Sequence, residues 1–239
     1  MPESNPTWFR RGLRDGMPIA LGYLAVSFSL GIAAKNAGMT AWQTTLMSLT
    51  NLTSAGEFAA LGIIGSGAPY LEMALSQLII NLRYLLMSAA LSQKLSPSLP
   101  LVHRLCIGYG VTDEIFGVSI AVDGCVNPFY SYGILFVAVP GWTLGSCLGV
   151  VMGNALPARI VSALSLALYA MFIAVIVPPA RKSRVLASVI VISMAASLAF
   201  SLLPVLCEIS SGMRIILLTV VIAGIAAYFF PVKEDEHAA

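Results

Sequence analysis

Eight stretches of mainly apolar residues follow one another, near 17–34, 41–66, 70–92, 105–122, 129–153, 157–179, 185–206 and 213–231. A helix needs roughly 20 such residues to cross the hydrocarbon of a bilayer. The connectors between them are short and carry turn chemistry. They are Lys35-Asn36-Ala37-Gly38, Gly65-Ser66-Gly67-Ala68-Pro69, Ser96-Pro97-Ser98-Leu99-Pro100, Asn127-Pro128, Asn154 to Pro157, Pro178 to Arg184 and Ser210-Ser211-Gly212. Only 10% of the 239 residues are charged and 58% are hydrophobic, whereas a soluble domain carries about 25% charged residues. With a mean hydropathy of +0.89, a soluble core of this size could not hide the apolar surface. The fold class that follows is all-α, a polytopic transmembrane helical bundle of about seven or eight spans. Residues 17–231 form its single membrane domain.

The ends are polar. Met1 to Asp15 contains Arg10, Arg11 and Arg14. No small-residue cleavage site follows a short apolar core, so the first stretch is expected to be a retained span. The excess of basic residues places residues 1–16 in the cytoplasm. Eight alternating spans then bring Arg181-Lys182-Ser183-Arg184 and the charged tail, residues 232–239, to the same side. The net charge of +2 carries little information, and no basic run suits nucleic acid. Cys106, Cys125, Cys147 and Cys207 lie far apart, without metal-ligand spacing. No metal or cofactor is expected.

Two segments contain helix-breaking chemistry. Segment 41–66 is interrupted by Asn51-Leu52-Thr53-Ser54-Ala55-Gly56-Glu57, and segment 129–153 contains Pro140-Gly141. Proline lacks the N–H that a helix interior needs. Backbone opened at membrane depth persists only where protein buries it or it lines a wet cavity. Sliding the sequence so that Leu52-Thr53 falls on Pro140-Gly141 also lays Gly65–Pro69 on Gly153–Pro157. One residue more lays Ala74-Leu75-Ser76 on Ala163-Leu164-Ser165. Three spans repeated as three must be inverted, because each copy crosses an odd number of times. An inverted 3+3 repeat is therefore expected, residues 17–92 and 105–179, followed by two extra spans over 185–231. Interrupted helices in corresponding positions of two inverted halves point to a transporter binding site.

Charged residues inside apolar segments are Glu57, Arg83, Asp113 and Glu114. A charge at the bilayer centre costs about 2.5–3.5 kcal/mol on insertion scales. Each should face the bundle interior or water, and pair where it can. Neighbours on a helix point about 100° apart. One of Asp113 and Glu114 is expected to pair with Arg83 while the other faces the pathway. Glu57, beside a break, could hold a proton, bind a cation or meet an ammonium group. Asn51, Thr53, Ser54, Gly56, Asn81, Thr112, Pro140 and Gly141 complete the candidate binding residues. The polar ones could equally hydrogen-bond opened backbone. Trp8, Trp42, Tyr70 and Tyr132 fit interfacial anchoring.

Four motifs occur in order. They are Arg14-Asp15-Gly16-Met17-Pro18-Ile19-Ala20-Leu21-Gly22-Tyr23, Ser54-Ala55-Gly56-Glu57-Phe58-Ala59-Ala60, Asn81-Leu82-Arg83-Tyr84 and Thr112-Asp113-Glu114. The set resembles the AzlC family of branched-chain amino acid permeases over residues 10 to 230. Glu57 stands where that pattern more often has Gln, and Tyr84 where it often has His. The resemblance implies the large subunit of a two-component exporter in the bacterial inner membrane. It also implies a small AzlD-type membrane partner and a neutral amino acid substrate such as valine, leucine, isoleucine or methionine.

A neutral amino acid presents an ammonium, a carboxylate and an apolar side chain. Half-helix N-termini near Ser54 and Pro140 offer free N–H groups to the carboxylate, with help from Arg83. Glu57, Asp113 or Glu114 would take the ammonium or a coupling proton. An intramembrane enzyme finds no motif here, since the only histidines, His103 and His237, lie outside the spans. A passive channel or a non-transporting scaffold subunit is the alternative.

Overall fold

The computed structural model describes residues 4–153, 183–202 and 209–230, with residues 159, 166, 173, 177, 180 and 181. The described residues form nine helices: α1 (Asn5–Asn36), α2 (Ala41–Thr50), α3 (Ser54–Gly65), α4 (Tyr70–Gln93), α5 (Leu101–Tyr109), α6 (Asp113–Ile120), α7 (Pro128–Met152), α8 (Arg184–Leu202) and α9 (Ser211–Phe229). Five of them, α1, α4, α7, α8 and α9, are long and apolar enough to cross a membrane. Leucines along α4, including Leu78, Leu82, Leu85 and Leu86, stand exposed, as a lipid-facing surface requires. The span expected over 157–179 lies almost wholly outside the described residues.

The boundaries follow the local chemistry. Gly38 takes a positive φ of 84° just beyond α1, a conformation that favours glycine. Thr40 and Gln43 then form a reciprocal capping box that starts α2. Asn127 caps α7, its side chain accepting from the Phe129 N–H at 3.0 Å, with Pro128 in the first turn.

Two expectations about the interrupted segments are corrected. Segment 129–153 is one unbroken helix, with Pro140 inside it. Pro140 lies on an exposed face, while the opposite face of α7 packs along α1 and holds the helix through the missing N–H. Gly141 serves that packing. A methyl group there would sit 2.6 Å from the Ala20 carbonyl oxygen. The second interrupted segment is instead 105–122, where α5 stops at Tyr109 and α6 begins at Asp113. The supposed correspondence between Leu52-Thr53 and Pro140-Gly141 is thus not one break laid on another. Residues 154–157 and 163–165, which completed that alignment, lie outside the described residues.

The chain divides into two compact units, Met1–Leu61 with Asn81–Leu168 and Gly62–Ile80 with Tyr169–Ala239. Within the first, α1 and α7 lie against each other along nearly their whole length. Gly12 abuts the Tyr130 carbonyl, Gly16 abuts Ile134, and Gly145 abuts Leu24 and Ser27. Gly31 abuts Ser146 and Gly149. Partners rise together along both helices, so the two run parallel. Small residues at such a seam let backbones approach closely, which is how helices associate in lipid. Within the second unit, α8 and α9 pack together. The Ser210 hydroxyl ahead of α9 donates to the Glu72 carboxylate.

A methyl group at Gly31 has no room, whereas one at Gly22 meets nothing within 4 Å. Gly31→Ala should destabilise the detergent-solubilised protein by about 1–3 kcal/mol. Gly22→Ala should be neutral or stabilising by about 0.5–1 kcal/mol, since alanine is the better helix former. Thermal unfolding of both variants checks the contrast.

Candidate functional site

The first break opens where α2 ends at Thr50 and Asn51 turns extended, at φ −140° and ψ 107°. The Thr53 hydroxyl donates to Asn51 Oδ1 at 2.6 Å, so these two polar side chains satisfy each other. Ser54 starts α3, and Glu57 lies in its first turn. There the positive end of the helix favours a carboxylate. Glu57 is fully buried, at 0% exposure. Its Oε2 accepts from the Ser48 hydroxyl at 2.8 Å, and its Oε1 accepts from the Trp142 indole N–H at 2.8 Å. Among the described residues no cation lies within ion-pair distance of it. Nearby, the Tyr109 hydroxyl donates to the Leu49 carbonyl. One buried side chain therefore ties α2, α3 and α7 together.

The second break is Gly110-Val111-Thr112. Thr112 is extended and caps α6, its Oγ1 accepting from the Ile115 N–H at 3.3 Å. Asp113 and Glu114 occupy the first turn of α6, again at the end of a helix that favours negative charge. Asp113 Oδ2 lies 3.0 Å from Arg83 Nη1. Glu114 Oε2 accepts from the Tyr23 hydroxyl at 2.8 Å, and Tyr23 Oη lies 2.6 Å from Thr112 Oγ1. With one proton on each hydroxyl, Thr112 donates to Tyr23 and Tyr23 donates to Glu114. Arg83 lies over the Tyr84 ring at 5.1 Å, and its Nη2 reaches the Tyr84 hydroxyl at 3.4 Å. The Arg83 Nε is buried with no hydrogen-bond partner. The cluster holds one cation and two carboxylates.

An aromatic contact joins the two breaks. Tyr23 on α1 and Trp142 on α7 meet edge to face, with centroids 5.3 Å apart and planes at 73°. Both rings are buried.

Of the residues singled out in the sequence, Asn51, Thr53, Ser54, Gly56 and Glu57 gather at the first break. Thr112, Asp113, Glu114 and Arg83 gather at the second. Asn81 is half-buried on α4, two positions before Arg83, which turns it to a different face. Pro140 and Gly141 belong to no break, and the second half-helix N-terminus is at Asp113. Asp113 and Glu114, inside the apolar segment 105–122, open its second half-helix. Sequence reasoning passed over Ser48 and Trp142, and it took Tyr23 only as part of a motif. The missed signals were legible: Gly108 and Gly110 followed by Thr-Asp-Glu are a helix stop and start. A tryptophan in the middle of a span, away from the interfaces, needs a partner for its N–H. Among the described residues, no group of three or more His, Cys, Asp or Glu could hold a metal.

Fold and site together define a polytopic helical membrane protein whose intramembrane charges sit at two helix breaks. A family model described as AzlC protein matches residues 18–156, a segment that takes in both breaks and Trp142, and the chain belongs to that family. An uncharacterized membrane protein of Archaeoglobus fulgidus is 30% identical over 188 residues, 78% of this chain and 82% of that one. Inner membrane protein YgaZ of Escherichia coli K12 is 24% identical over 159 residues, 65% of each chain. No solved structure matches. Membership suggests a role related to membrane transport, and the inner membrane is the location that YgaZ suggests.

Thr112 both caps α6 and bonds Tyr23. Thr112→Ala should cost about 0.5–2 kcal/mol for the cap and about 1 kcal/mol more for the second hydrogen bond. Thr112→Ser should recover most of the loss. Thermal unfolding of the two variants measures it.

Proposed function

We propose that the chain is the large subunit of a secondary transporter that exports neutral amino acids. The substrates are valine, leucine, isoleucine and methionine. Export runs by proton-coupled alternating access, and a small AzlD-type membrane protein is the partner. The chain would lie in the bacterial inner membrane with its N-terminus in the cytoplasm.

The observation that carries this reading is the unbalanced cluster at the second break. Arg83 uses Nη1 for Asp113 and keeps a buried Nε donor without an acceptor. Glu114 accepts one neutral hydroxyl, with no cation beside it among the described residues. A zwitterion supplies what both lack: its ammonium goes to Glu114 and its carboxylate to the spare guanidinium donor. Glu57, buried beside the other break, is the group that carries the coupling proton. An apolar pocket separates chain lengths weakly, since one methylene is worth about 1–3 kcal/mol. Overlapping specificity among the four amino acids follows.

Vesicles containing the full chain, with and without the small subunit and loaded with labelled valine, leucine, isoleucine and methionine, test the reading. Glu114→Gln should lower amino acid exchange about tenfold or more, because a charge-assisted contact is worth about 1.5–3 kcal/mol. Substrate on the far side should accelerate exchange. Exchange that ignores trans substrate would mark a pore, and efflux unaffected by collapse of the pH gradient would exclude proton coupling.

A further inference from the structure

The residues that link the two breaks belong to neither of them. Trp142 donates its indole N–H to Glu57 Oε1 at 2.8 Å. Its ring packs edge to face on Tyr23 at 5.3 Å. The Tyr23 hydroxyl in turn donates to Glu114 Oε2 at 2.8 Å and lies 2.6 Å from Thr112 Oγ1. Ser48 closes the far end of the chain on Glu57 Oε2. The path therefore runs from α2 through α3, α7 and α1 to α6, through side chains that are almost all buried.

The backbone under this path is closely packed. Gly141, next to Trp142, abuts Ala20, and Gly145, one turn on, abuts Leu24 and Ser27. Tyr23 lies between those contacts. The two rings have little freedom to move apart, so a shift at one end has to be taken up at the other. Indole can only donate, which leaves Glu57 Oε1 an acceptor whatever Oε2 carries. Removing that donor changes Glu57 without touching the Glu114 cluster.

We infer that Trp142 and Tyr23 are positioning residues that couple the two breaks, so that amino acid occupancy at Glu114 is felt at Glu57. The inference rests on the reading of Glu114 as the ammonium site and Glu57 as the proton site. Other titratable groups face each end. Tyr109 of α5 lies within electrostatic reach of Glu57. Asp113 and Tyr84 lie within electrostatic reach of Glu114, and Arg83 pairs with Asp113. None of these joins one end to the other through hydrogen bonds and ring contacts among the described residues.

The test compares leucine counterflow at equal pH with leucine flux driven by a pH gradient, in vesicles of the full chain with its small subunit. The variants are Trp142→Phe, Trp142→Met and Glu57→Gln. Trp142→Phe keeps a ring against Tyr23 and loses only the N–H donor and some ring area. It should leave counterflow within about threefold, lower gradient-driven flux about tenfold and flatten the pH profile, as expected for a lost bond to a carboxylate. Trp142→Met, which fills the space with neither an N–H donor nor a ring and leaves the Tyr23–Glu114 bond in place, should show the same split, and it serves where Trp142→Phe does not fold. If Glu57→Gln loses gradient-driven flux while both Trp142 variants match the wild type, the coupling path is overturned and the transport reading stands. Equal losses of counterflow and driven flux in the Trp142 variants would make the role of Trp142 structural, which also overturns it. If Glu57→Gln behaves as wild type, the proton site is wrong and the inference falls with it.

Discussion

The glycine seam between α1 and α7 is the contact on which the rest of the first unit depends. In lipid there is no hydrophobic force to bring two helices together, because the tails are as apolar as leucine. Dispersion and close approach must supply the attraction. Gly12, Gly16 and Gly31 on one helix and Gly133, Gly141, Gly145 and Gly149 on the other remove the side chains that would hold the backbones apart. Leu30, Ile134 and Ala138 are completely buried beside the seam. Two helices fixed in this way form a frame on which shorter, interrupted helices can rest.

Those interrupted helices carry the carboxylates Glu57, Asp113 and Glu114. Breaking a helix in the membrane exposes backbone groups, and bringing carboxylates there costs more. The protein meets both costs with the same residues. Thr112 caps α6 and bonds Tyr23. Glu57 complements the start of α3 while two donors from α2 and α7 satisfy its oxygens. The Arg83–Asp113 pair, 3.0 Å apart, spares two charges the cost of standing unpaired at membrane depth. Its value lies in where it holds a guanidinium.

The helical class, the lipid environment and the charged residues of the site were legible in the sequence, because apolar length and an intramembrane charge each carry a large energetic signal. Asn51-Leu52-Thr53 declared its break through polar residues that could be read in order. The second break was misplaced because proline was given more weight than capping. Pro140 faces outward on a helix that tertiary packing holds straight enough to continue, whereas Thr112 followed by two acids is a helix start. The partner that Ser48 and Trp142 share was hidden for a different reason. Each meets Glu57 only after α2, α3 and α7 have packed, and no spacing along the chain encodes that meeting.

The parallel course of α1 and α7 bears on how the chain threads the bilayer. Two neighbours pointing the same way enter from the same leaflet. The polypeptide that leaves the end of one must therefore return before it can begin the other, in an odd number of passages. Three elements lie between them: α2 with α3, α4, and α5 with α6. Of these only α4 is by itself long and apolar enough to cross, so it supplies one passage and the two interrupted helices must match each other: both cross, or both dip in and turn back. The parallel seam therefore ties the threading of the Glu57 break to that of the Asp113 break, although the two lie far apart in the sequence.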